Sequence, residues 1–143
     1  MLVEQLAVFL ENKSGRLAEI TAVLAQNNIN IRALSIADTS DFGILRIIVN
    51  DPYKTFQVLH EAGFTVSETE VLAVQVPDTP GGLADVLEQL SQENLNIEYL
   101  YAVLGSSSDQ ALIIFKVEDN EKAQQTFEKR GIKFLSDEEL YQL

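Results

Sequence analysis

The chain has 143 residues, 46% of them apolar, which is enough for one ordinary domain or two small ones with packed cores. Its formal net charge of −12 repels phosphate backbones and anionic lipid surfaces, and ten Lys plus Arg spread along the sequence form no basic face. Nucleic acid and membranes are thus excluded as expected partners, and the lack of cysteine excludes disulfides, thiol catalysis and cysteine–zinc sites.

The opening stretch, MLVEQLAVFLENK, has no basic segment and carries Glu4 inside its apolar run. It reads as a strand and not as a signal peptide. Leu6, Val8 and Leu10 alternate there with Gln5, Ala7 and Phe9. A turn at Gly15 leads into a helix in which Leu17, Ile20 and Leu24 recur at helical spacing. Asn28 stands where that helix ends, because Asn tolerates the left-handed conformation required there. A second strand starts at Asn30, and GILRIIV makes a third. A second helix opens near Asp51-Pro52 and stops at Gly63, and a short fourth strand closes the series.

The series then begins again. With Leu6-Ala7-Val8 set over Leu72-Ala73-Val74, Gly15 falls on Gly81, Leu17 on Leu83, Asn28 on Asn94 and Asn30-Ile31 on Asn96-Ile97. About twelve of thirty positions are identical, far above chance for one offset. After a loop about two residues longer in the second half, Val49 falls on Val117 and Gly63 on Gly131. The expected domains are residues 1–70 and 71–143, with no flexible linker between them. Each has the order β-α-β-β-α-β, an α+β, split βαβ pattern with both helices on one face of an antiparallel sheet.

The other sheet face is apolar as well. Leu45, Ile47 and Val49 can face the helices, but Ile44 and Ile48 point the opposite way, as do Leu112 and Ile114. That face needs cover from the sister half or from a second chain, which favours a homodimer. No run approaches the roughly 20 apolar residues of a membrane span, so a cytoplasmic protein is expected.

Catalytic candidates are few. His60 is the sole histidine, has Glu128 as its counterpart and stands in no triad spacing, so it reads as a surface or packing residue. The stretch Ser136-Asp137-Glu138-Glu139 reads as the capping box of a last short helix rather than a metal cluster. Tyr99 and Tyr101 share a strand face and are expected to pack. No metal or cofactor is expected.

The turns carry more. E-N-K-S-G-R-L and P-D-T-P-G-G-L place a glycine where the backbone can approach a ligand. The following helix aims free N–H groups and partial positive charge at the same point, which suits a carboxylate. Asn12 or Asp78 can take an ammonium, so a zwitterionic amino acid fits. On spacing alone, simple chain reversal is the better-supported reading of Gly15, Pro80 and Gly81.

The stretch D-T-P-G-G-L-A-D-V-L-E-Q-L-S-Q-E-N-L-N-I resembles the ACT domain. That family shows a strand, a D/N-x-P-G-x-L turn, an amphipathic helix and an Asn-Ile pair opening the next strand. The resemblance covers nearly the whole chain, as two tandem ACT domains of the stand-alone bacterial kind, without an attached enzyme domain. It implies a ferredoxin-like fold and a non-catalytic regulatory role, with an amino acid bound between ACT domains. One domain offers the turn and its neighbour the opening of the second strand. Carried over, the turn residues are Asn12, Ser14, Gly15 and Leu17, then Asp78, Thr79, Pro80, Gly81, Gly82 and Leu83. The strand openings are Asn30-Ile31 and Asn96-Ile97. The first half departs from the pattern with Ser14 in the proline position and Arg16 after the glycine. The implied receiver of the signal is a metabolic enzyme or the assembly state itself. A ligand-free interaction module and a small ferredoxin-like enzyme are the competing readings.

Overall fold

Alternation of apolar and polar residues gives β1 (Val3–Glu11), whose inward positions Leu6, Val8 and Leu10 are buried. A computed structural model describes residues 2–11, 13–38, 41–104 and 110–142 of the chain. It continues with α1 (Arg16–Gln26), β2 (Ile31–Asp38), β3 (Phe42–Val49), α2 (Pro52–Glu61) and β4 (Thr65–Pro77). The second series runs α3 (Gly82–Gln92), β5 (Ile97–Ala102), β6 (Gln110–Val117), α4 (Asn120–Arg130), β7 (Phe134–Leu135) and α5 (Asp137–Tyr141). The chain divides into a first module, Glu4–Thr69, and a second, Met1–Val3 with Glu70–Leu143. The first residues join the second module because Leu2 packs against its core. The fourth strand of one series and the first strand of the next are a single element, β4, which runs through the division.

Both modules have the ferredoxin-like order. In the first it is β2-β3-β1-β4; in the second, β5-β6-β4 with β7 also on β4. The pairings β1–β3, β2–β3, β4–β6, β5–β6 and β4–β7 are all antiparallel. Register places Leu6 opposite Ile47 and Val8 opposite Leu45, so these four share the helix-facing side. They pack on Ile20 and Leu24 of α1 and Leu59 of α2. In the second module Leu72 faces Phe115 and Val74 faces Ile113, under Val86 and Leu90 of α3 and Phe127 of α4.

The helix ends follow the residue types expected of them. Asn28 and Asn94 take left-handed φ values of 58° and 56°. At each, two bonds close the helix: Asn28 N–H to Ala25 O and Ile29 N–H to Leu24 O, then Asn94 N–H to Ser91 O and Leu95 N–H to Leu90 O. This is the Schellman arrangement, and the same bonds bring Ile29 and Leu95 into the two cores. Asp51 and Asp119 cap α2 and α4 by accepting from the N–H groups of Lys54 and Lys122. Ser136 and Glu139 form the capping box of α5.

The opposite sheet face is expected from the sequence to take cover from the sister half or from a second chain. Ile48, Leu112 and Ile114 are buried within the single chain, so they do not require a second one. Phe9 and Phe42 lie on the same face of the first module and remain 45% and 42% exposed, with their rings 5.9 Å apart.

Two local contacts can be tested. A Cβ at Gly82 would overlap the carbonyl oxygen of Pro77, so Gly82→Ala should cost about 1–3 kcal/mol in urea unfolding. Glu93, at the end of α3, accepts from Arg130 at 3.1 Å with Lys129 at 3.9 Å. The Arg130 bond, and then the Lys129 charge, hold its carboxyl below the ordinary 4.5. A carboxyl lowered in the fold adds stability above its unfolded pKa and loses it as pH falls through the folded value. The stability gap between the wild type and Glu93→Gln should therefore be present at pH 7 and close as the pH drops below 4.5.

Candidate functional site

Each module begins its first helix in the same unusual way. Gly15 and Gly81 are the N-cap residues, with φ values of 87° and 86°, and neither helix has a side-chain cap. The first N–H groups of a helix have no intrahelical acceptor. In α1 the ladder starts at Glu19 N–H, bonded to Gly15 O, and in α3 at Asp85 N–H, bonded to Gly81 O. The N–H groups of Leu17 and Ala18, and of Leu83 and Ala84, are thus left facing the turn, where they favour negative charge.

The two turns differ in side chains. In the first module Ser14 is exposed and Leu17 is 40% exposed; Asn12 lies outside the described residues. Lys13 bonds Glu11 at 2.9 Å, and Arg16 bonds Glu19 at 3.0 Å with Glu11 at 3.9 Å. Lys13, and then Arg16, hold the Glu11 carboxyl below its ordinary range. The Arg16 guanidinium also lies over the Phe64 ring, 4.9 Å from its centre. Beside this cluster is a cavity of about 240 Å³, with Leu10, Leu17 and Ile36 as its apolar wall and Glu11, Lys13 and Arg16 as its charged rim. In the second module Asp78, Thr79, Pro80 and Gly81 are exposed, Leu83 is half-buried against the core, and Gly82 is buried against Pro77. Thr79 O accepts from Gly82 N–H at 3.0 Å and tightens that turn.

The strand openings lie elsewhere in each module. Asn30 and Asn96 are exposed, while Ile31 and Ile97 are half-buried. The Asn30 backbone N–H donates to Asn50 Oδ1 at 3.0 Å, and Asn96 O accepts from Glu118 N–H at 3.1 Å. Asn96 borders an open groove of about 530 Å³ with Glu118, Asp119 and Lys122. Turn and strand opening stand at opposite ends of an 11-residue helix, about 16 Å apart at 1.5 Å per residue. The structure does not bring them together within one module.

The other candidates settle into structural roles. His60 is exposed and stacks on Phe56 with centroids 6.1 Å apart. Tyr99 stacks on Tyr101 at 6.4 Å, and Tyr101 is buried. Among the described residues no group of three or more His, Cys, Asp or Glu could hold a metal ion, and no helix is long and apolar enough to cross a membrane. Glu11, Lys13 and Ile36 were not singled out in the sequence. The signal for the first two is opposite charges flanking a helix-start glycine; Ile36 has no local signal, because β2 brings it there from about 20 residues away.

Comparison with known proteins agrees with this architecture. Residues 1–143 match a family model described as an ACT domain pair. A protein of Bacteroides thetaiotaomicron with a crystal structure is 42% identical, covers 100% of this chain and 98% of its own, and superposes with a TM-score of 0.93. Regulatory subunits of aspartate kinase from Thermus thermophilus and Thermus flavus share the fold, with TM-scores of 0.62 and 0.59 at 17% and 15% identity. Those matches cover 90% of this chain and 93% of each subunit. No curated protein matches the sequence. The chain therefore belongs to the ACT domain-pair family.

Proposed function

We propose that the protein is a non-catalytic sensor that binds an amino acid where ACT modules of two chains meet. The observation that carries this reading is the uncapped helix start at Gly15 and Gly81, with its inward-facing N–H groups. Those groups receive a carboxylate. The Asn30 and Asn96 carboxamides have no hydrogen-bond partner among the described residues and supply donors and acceptors for the rest of a zwitterion.

Reach requires two modules, because one ligand cannot span about 16 Å. β2 and β5 end their sheets, so each has an unpaired edge. Leu34 and Ile36 on β2, and Leu100 on β5, are exposed apolar residues beside those edges. Antiparallel pairing of an edge with its symmetry mate carries the strand opening of one chain toward the turn of the other. The homodimer, and regulation through assembly or through a metabolic enzyme, belong to this proposal. The aspartate kinase regulatory subunits, which share the fold, are named for a regulatory role, and this supports the same class of function.

A thermal-shift screen against the twenty amino acids tests the reading. A ligand at ~100 times its dissociation constant should add about 2.7 kcal/mol of stability. Asn96→Ala and Gly81→Val should each abolish that gain while leaving a folded protein by circular dichroism. A flat screen would instead identify a ligand-free interaction module, and a response surviving both substitutions would place the ligand elsewhere.

A further inference from the structure

The two modules treat one location in opposite ways. In the first, the Arg16 guanidinium occupies it, bonded to Glu19 at 3.0 Å, near Glu11 at 3.9 Å and laid over Phe64. The repeat register carries Glu11, Glu19 and Phe64 onto Pro77, Asp85 and Ile132. All three counterparts line one cavity of about 300 Å³ in the second module. The counterpart of Arg16 is Gly82, which carries no guanidinium and is packed against the Pro77 backbone beside that cavity. One module supplies its own guanidinium where the other leaves space beside a carboxylate.

The rest of the cavity wall has changed to match. Phe9, Val23 and Phe42 of the first module correspond to Gln75, Gln89 and Gln110, and these amides line the cavity. Gln89 Nε2 donates to Asp85 Oδ2 at 3.4 Å, steadying that carboxylate. Arg130 Nε is buried without a hydrogen-bond partner, and Arg130 and Lys133 both line the same space. The cavity thus offers an acceptor for a cation, the apolar surface of Pro77 and Ile132, and cationic donors for an anion.

We infer that this cavity binds a guanidinium-bearing amino acid, its guanidinium on Asp85 as Arg16 is on Glu19, its carboxylate on Arg130 and Lys133. The planar guanidinium matches a carboxylate better than an ammonium does, and its weak hydration suits a flat apolar surface. This site is separate from the turn-and-asparagine site proposed above and stands whether or not that one is occupied.

Titration calorimetry of the full chain with L-arginine and with L-citrulline, its neutral isostere, tests the inference. Arginine should bind and citrulline should bind at least about tenfold more weakly, the loss expected for one charge-assisted bond. Asp85→Asn should weaken arginine to the same degree, Lys133→Ala should also weaken it, and Asn96→Ala should leave it unchanged. No binding of arginine, or equal binding of citrulline, would overturn the proposal, and neither result depends on a variant folding. Arginine binding lost in Asn96→Ala but kept in Asp85→Asn would also overturn it and would assign the ligand to the interface between chains.

Discussion

The architecture depends on left-handed backbone at both ends of the first helix of each module. Gly15 and Gly81 set the entry, Asn28 and Asn94 the exit. At the exit, the two Schellman bonds satisfy carbonyls that would otherwise be left open and turn Ile29 and Leu95 inward. The next residue pair, Asn30-Ile31 or Asn96-Ile97, then emerges with its asparagine in solvent and its aliphatic side chain half-buried. At the entry, a positive φ reverses the chain without any side chain reaching back as a cap. One helix therefore fixes both an open set of amides and an exposed carboxamide, and its length fixes their separation. An inserted residue in α1 or α3 would rotate the exit by about 100° and uncouple the buried from the exposed positions.

Duplication has preserved this frame while letting the turn chemistry diverge. Lys13, Arg16, Glu11 and Glu19 make a connected charge cluster around the first turn. The Lys13–Glu11 pair is exposed, and such pairs contribute little to stability, so a zwitterion can exchange with it at small cost, whereas Arg16 is half-buried over Phe64. The second turn has Pro80 and the buried Gly82, which draw the backbone close to Pro77. Its conformation is set by backbone contacts and the first by side-chain contacts. The departure of the first half from the family pattern is therefore a change in what surrounds the amides; the φ of the glycine itself is kept to within a degree.

Most of the fold was legible because its signals are local or repeated. The offset of the two halves, the helix exits at Asn28 and Asn94, the caps at Asp51 and Asp119 and the capping box at Ser136 each rest on a few adjacent residues whose chemistry admits few alternatives. Three features were not legible. The union of two strands into β4 leaves no mark, since a strand continuing and a strand restarting have the same alternation. The placement of Leu2 in the second module is a tertiary contact with no local correlate. Arg16 over Phe64 joins residues 48 positions apart, and Arg16 reads from sequence only as a departure from a motif. The candidate site reads from the sequence as two residue sets, and their separation within a module follows only from the direction of α1 and α3.

That separation determines what kind of switch the proposed site can be. A ligand that needs two chains to complete its contacts contributes its binding free energy to their association, and association tightens the ligand by the same factor. Two chains each carrying −12 repel, but at physiological ionic strength screening over about 8 Å limits that repulsion to groups near the contact. Leu34 and Ile36, exposed beside the β2 edge, themselves add no charge there. A zwitterion adds no net charge either, whereas an anion or a cation would leave a residual charge in the seam. The electrostatics of association thus favour a ligand whose two charges are both satisfied inside the interface, one by helix amides and one by carboxamide oxygens. Under the proposed reading, selectivity among such ligands would fall to the apolar wall of Leu10, Leu17 and Ile36, because the turn and the asparagine would take the groups common to all amino acids.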